Sequence, residues 1–206
     1  MKNILKIAIS LFAFQISAQT IKPAEQYYTE DYNTLNNIYF KDINHIYDKF
    51  LGTWEYNSGP YYLKVIITKI TKEEQGVSSS GRRLRKRKQF FDLIKCDFIY
   101  KYSGALVYNV IPPYQVVNGR VVASSISGNV INNPTQVQLF YDEPSTTSCI
   151  RNRDGVLKLT YISNTVPQIQ WERTDKITQN PESYCPNGQF DTSEYKIPAN
   201  LVLTKM

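Results

Sequence analysis

The chain carries a single histidine, His45, and that narrows the chemistry at once. A serine nucleophile activated through an imidazole needs a histidine held beside it. His45 falls between Ile43 and Ile46, the setting of a helix-edge residue. Cys96, Cys149 and Cys185 contain no CxxC pair, and with one histidine they make no zinc set. Cys96 alternates with Ile94 and Phe98, where burial disfavours the thiolate that a nucleophile requires. The adjacent acids Glu73-Glu74 and Asp142-Glu143 lie in loop-like stretches. They read as solvated charges rather than two carboxylates held across a cleft. There is no phosphate-cradling glycine loop and no EF-hand-like calcium loop. No catalytic residue, metal or cofactor is therefore assigned, and the expectation is a non-catalytic protein.

Two feature classes remain that could bind. The first is the run Arg82, Arg83, Arg85, Lys86, Arg87 and Lys88, interrupted only by Leu84. Such a block can contact anionic polymer, lipopolysaccharide or a membrane surface, or it can be a solvated hairpin tip whose like charges discourage edge pairing. The second is tyrosine, sixteen in all. Tyrosines around a barrel mouth can stack on sugars or frame an amphipathic ligand, and more commonly they are half-buried strand formers.

The net charge of +6 is local. Lys2 and Lys6 are the only charges in the first eighteen residues, so the remainder carries +4, two fewer. Setting aside the six basic residues of 82–88 turns that +4 into −2. A basic balance held in one segment argues against a nucleic-acid-binding domain.

The start, MKNILKIAISLFAFQISAQ, has the layout of a secretory signal: Lys2 and Lys6, an apolar stretch from Ile7 to Ile16, then the small residues Ser17-Ala18. Cleavage is expected near Ala18, placing the protein outside the cell or in the periplasm. No later apolar stretch is long enough to span a bilayer. In an oxidising compartment three cysteines allow one disulfide and one spare thiol. Cys149 and Cys185 both lie among turn-forming residues and are the expected pair.

The elements that would position these groups are mostly strands. Residues 19–41 are polar and tyrosine-rich and read as an extended arm; 42–206 reads as one domain. Ile43, Ile46, Tyr47 and Phe50 follow the spacing i, i+3, i+4, i+7, which predicts a short helix over 43–51 with Asp42 as its N-cap and Gly52 as its stop. Tyr61, Leu63, Val65 and Ile67 then alternate with polar residues, and so do Phe90, Ile94, Cys96, Phe98 and Tyr100. Further strands are expected at 105–111, 136–142, 156–163 and 168–173 and at the C-terminus. Asn118-Gly119 between two β-branched runs predicts a hairpin. About eight to ten short strands behind one short helix give an all-β fold, an antiparallel barrel or sandwich.

A short helix followed by Gly52-Thr53-Trp54 at the start of the first long strand resembles the lipocalin and fatty-acid-binding (calycin) superfamily. The resemblance implies that Trp54 plugs the closed end of a barrel, that Gly52 makes the tight turn and that Lys205, on the last strand, packs across the indole. More narrowly, Ser17-Ala18-Gln19, the segment Tyr39-Phe40-Lys41-Asp42 through Asp48-Lys49-Phe50-Leu51-Gly52-Thr53-Trp54, and Leu203-Thr204-Lys205 resemble an uncharacterised family of secreted proteins from flavobacteria and their relatives, for which no activity is implied.

Two functional expectations follow. One is a lipocalin-like small-ligand-binding or accessory domain, with a pocket for a hydrophobic or amphipathic ligand lined by Leu63, Val65, Phe98 and Leu159. The other is an extracellular interaction module that meets anionic polymer or the envelope surface through the basic 82–88 loop.

Overall fold

A computed structural model describes residues 19–29, 37–77, 87–113, 115–117, 120–122, 126–145, 151–177 and 191–206. The expected leader, the expected Cys149–Cys185 pair, and Arg82, Arg83, Arg85 and Lys86 lie outside those residues.

The chain forms β1 (Thr20–Pro23), β2 (Ile38–Lys41), β3 (Gly52–Ser58), β4 (Tyr61–Val77), β5 (Arg87–Tyr102), β6 (Ala105–Asn109), β7 (Gln115–Val117), β8 (Arg120–Val122), β9 (Ile126–Asn133), β10 (Gln136–Tyr141), β11 (Arg153–Ile162), β12 (Gln168–Ile177) and β13 (Asn200–Lys205). Eight of these run in the order β5-β4-β3-β13-β12-β11-β10-β9, each antiparallel to its neighbour. A further pairing of Ile94, Lys95 and Cys96 on β5 with Gly128, Ser127 and Ile126 on β9 returns the sheet to its start. The all-β expectation therefore resolves as an eight-stranded antiparallel barrel with additional strands. No helix among the described residues is long and apolar enough to cross a membrane.

Period-2 alternation fills the inside. Leu63, Val65 and Ile67 of β4, Ile94, Cys96, Phe98 and Tyr100 of β5, Val137, Leu139 and Tyr141 of β10, Leu157 and Leu159 of β11, Ile169 and Trp171 of β12, and Leu201 and Leu203 of β13 all belong to one buried cluster. Their neighbours in sequence, such as Lys64, Lys95 and Lys158, face outward. Eight strands enclose a space just wide enough for side chains to fill it.

The long strands β4 and β5 continue past the barrel. A bulge between Ile70 and Glu73, with Lys72 at a φ of 57°, bends β4 away from the curvature of the wall. On the other side of β5, β2 adds in parallel through Ile38–Phe40 against Gln89–Phe91, and β1 adds in parallel to β2. The stretch read as an extended arm thus enlarges this hairpin. Phe40 and Phe91 stack 5.4 Å apart, with Tyr27 edge-on to both.

The predicted helix over 43–51 is a correction. Only a 3-10 turn at Tyr47–Lys49 forms. His45 takes a φ of 55°, which breaks the helical path, and Ile43 is left exposed while Ile46, Tyr47 and Phe50 are buried. The Asp42 carboxylate does accept from free amides, those of Ile46 at 2.7 Å and Tyr47 at 3.3 Å, but it closes a wide loop instead of capping a helix. The same carboxylate receives Lys69 Nζ at 2.8 Å. Asp92, on β5, joins this knot by accepting from the Asp42 amide at 3.0 Å, the Lys72 amide at 3.1 Å and the Tyr39 hydroxyl. Three segments, 39–47, β4 and β5, are fixed to one another there. Such satisfied buried carboxylates organise a fold because leaving any donor unpaired would cost about 1–3 kcal/mol.

Candidate functional site

The two ends of the barrel are closed by different means. At one end, Trp54 on β3 pairs in register with Lys205 on β13. The indole is fully buried, its Nε1 donates to the Phe50 carbonyl at 2.7 Å, and Lys205 Nζ stands 5.1 Å from the ring centroid. Gly52 has a φ of 115°, and a Cβ there would lie 3.4 Å from Lys205 Cε. Gly52 therefore serves the backbone path, with the lysine stem in ordinary contact above it. Tyr47 and Phe50 from the preceding loop complete the closure.

At the opposite end, residues 191–199 cross the mouth. Tyr195 and Ile197 of this strap belong to the barrel core. Glu143 holds the strap. Its Oε2 accepts from the Lys196 amide at 2.7 Å, and its Oε1 accepts from the Ile197 amide at 2.9 Å and the Tyr141 hydroxyl at 2.6 Å. Arg173 Nη1 lies 3.4 Å from the same Oε1 and donates to the Ile197 carbonyl. Arg173 also grips Asp175 with Nε at 2.7 Å and Nη2 at 3.2 Å. Tyr100 donates to the Lys196 carbonyl at 2.9 Å. Both guanidiniums of the mouth stack on the strap, Arg151 Cζ at 4.8 Å and Arg173 Cζ at 4.9 Å from the Tyr195 ring centroid.

The electrostatics suit a latch. Burial pushes the Tyr100 hydroxyl up to about 12, and burial beside Glu143 holds Tyr141 well above the ordinary phenol range. Tyr195 is raised by burial and by Asp142. Burial works against the charge on Arg173, yet Tyr141 and Asp175 keep it above its usual value. Burial raises Asp142, whereas the hydroxyls of Ser145 and Ser193 hold Asp191 below the usual carboxylate range despite its burial. The Glu143 carboxylate is spent on the strap: with four donors it has little capacity left for general acid–base work.

Sequence reasoning misses this latch by reading Asp142-Glu143 as a solvated pair; Glu143 is in fact buried. The signal is parity. Glu143 continues the inward series Val137, Leu139, Tyr141, and Arg173 continues Ile169, Trp171. Two opposite charges on the inner face, on elements to either side of β11, are expected to meet, because neither can be buried alone.

The expected pocket residues are together but line no space. Leu63, Val65, Phe98 and Leu159 have no accessible surface, so no gap large enough for a water molecule touches them. Cys96 is a buried thiol pushed well above its ordinary value by burial. His45 is exposed, with Nδ1 3.0 Å from Asp48 Oδ2. Of the basic run, Arg87 opens β5, and Lys88 is exposed with its ammonium 3.2 Å from Glu74 Oε1.

The whole chain, residues 1–206, belongs to a family of unknown function, DUF6705. Neither a curated protein nor a solved structure matches it.

Proposed function

For a chain of this family, we propose an exported, non-catalytic accessory module whose barrel is a solid support and whose work is done on its outside, by contact with anionic polymer or the envelope surface. The carrying observation is the packed core: among the described residues Leu63, Val65, Phe98 and Leu159 have no accessible surface, and Trp54 at one end and Tyr195 and Ile197 at the other belong to the same buried cluster. The contact element is the hairpin of β4 and β5, which runs beyond the barrel on the Trp54 side and leads into the 82–88 run. Like charges at such a tip attract polyanions in a salt-dependent way. Replacing Arg82, Arg83, Arg85, Lys86, Arg87 and Lys88 with Ser should abolish retention on heparin or on anionic vesicles at low salt. Unchanged retention would remove this reading.

A second reading keeps the calycin-like resemblance and takes the interior as a small-ligand site. One observation favours it: Trp171 Nε1 is buried in the barrel with no hydrogen-bond partner. An amphipathic ligand could supply the missing acceptor once the 191–199 strap moved aside. Titration with a fluorescent fatty acid analogue tests this, since saturable one-to-one binding that quenches tryptophan would support it and an unchanged tryptophan signal would count against it.

A further inference from the structure

We propose a second contact site, for a glycan bearing uronic acids, on the barrel rim opposite the basic hairpin. It is built from two neighbouring turns. The β3–β4 turn contains Gly59-Pro60, and the β5–β6 turn contains Ser103-Gly104. The Ser103 amide donates to the Pro60 carbonyl at 2.7 Å and locks the turns to each other. Directly behind them Tyr61 and Tyr102 face each other in register, with ring centroids 5.4 Å apart.

Between the turns lies a depression of about 370 Å³ lined by Asn57, Pro60, Tyr61, Tyr62, Lys101 and Ser103, with Gly59 and Gly104 at its edges. A Cβ at Gly59 or Gly104 would meet nothing within 4 Å, so the approach over both turns is open.

The lining selects the occupant. Aromatic faces with hydroxyl and amide groups at their edge match a pyranose, whose C–H face is apolar and whose rim is a ring of hydroxyls. Asn57 and Ser103 supply the donors and acceptors. Lys101 is the only charged residue in the lining, and its ammonium sits 5.4 Å from the Tyr62 ring centroid. The ammonium stands over one face of Tyr62, whose hydroxyl donates at 3.4 Å to Glu55 outside the lining, so the cation complements a sugar carboxylate at that end while the sugar ring packs against the tyrosine lining. Because the turns are already locked, little ordering opposes binding.

This site is independent of the basic hairpin, and the test separates the two. The full chain with the six residues of 82–88 replaced by Ser is run in native gels containing polygalacturonate, or dextran as a neutral control. Retardation by polygalacturonate and not by dextran is expected. Lys101→Gln and Tyr62→Ala, each checked for an unchanged circular dichroism spectrum, should each weaken binding roughly tenfold, in line with the loss of one charge-assisted or one stacking contact. No retardation by polygalacturonate, equal retardation by dextran, or undiminished binding by both variants would each overturn the assignment.

Discussion

Lys205 Nζ lies 5.1 Å from the centre of the Trp54 indole, and the two residues face each other across the short seam where β13 meets β3. That seam is one of two that close the barrel, and only Glu55–Thr204 and Trp54–Lys205 pair across it. Trp54→Ala should cost about 3–5 kcal/mol in urea unfolding, as a large-to-small change in a packed core. Lys205→Met keeps the stem and removes the charge, so it should cost only about 0.5–2 kcal/mol. Equal, negligible effects would mean that the seam contributes nothing to closure.

Gly52 should tolerate no side chain. Its φ of 115° is strained for any other residue, while a Cβ there would stand in ordinary contact with Lys205 Cε at 3.4 Å. Gly52→Ala is expected to destabilise by more than about 1 kcal/mol. Because the strain lies in the backbone and not in contact with the lysine stem, adding Lys205→Ala should recover none of the loss.

The Glu143 latch predicts a local effect. Glu143→Ala removes the acceptor for the Lys196 and Ile197 amides and leaves Arg173 partly uncompensated. Breaking a buried pair in this way costs about 3–5 kcal/mol. Hydrogen exchange should show those two amides losing protection while amides of the central β4 and β5 keep most of theirs. Uniform loss across the barrel would show that 191–199 is not a separately fastened strap.

The tyrosines set the alkaline limit of the fold. Tyr100, Tyr141 and Tyr195 have folded pKa values above that of a free phenol, Tyr100 at about 12. A raised folded value means that their stabilising contribution is complete below the unfolded pKa of about 10 and is lost as pH rises from there toward and through the folded values. A spectrophotometric titration should show exposed tyrosines ionising near 10, then a later group ionising together with loss of structure. A single phase near 10 with the fold intact would contradict this.

Strand alternation alone makes most of the barrel legible. The series Leu63-Val65-Ile67, Ile94-Cys96-Phe98 and Ile169-Trp171 read directly as inward faces. Strand β9 is not legible, because Gly128, Asn129, Asn132 and Asn133 carry no strand signature. Gly128 stands there for packing: a Cβ would lie 2.8 Å from the Leu139 Cα. The helix over 43–51 fails because periodicity does not report backbone sign, and His45 turns the chain out of the helical path. The mouth escapes a reading of Glu143 and Arg173 as residue types; the face on which alternation puts them is what reveals it. The closed end is anticipated in its parts, Gly52, Trp54 and Lys205; its geometry requires the two ends of the domain to meet.

Whether the barrel is a support or a container is tested most directly by native mass spectrometry of the protein purified from its own host, followed by organic extraction. The account predicts the mass of the processed chain alone and an empty extract. A stoichiometric small molecule, bound in the native spectrum and recovered in the extract, would contradict it.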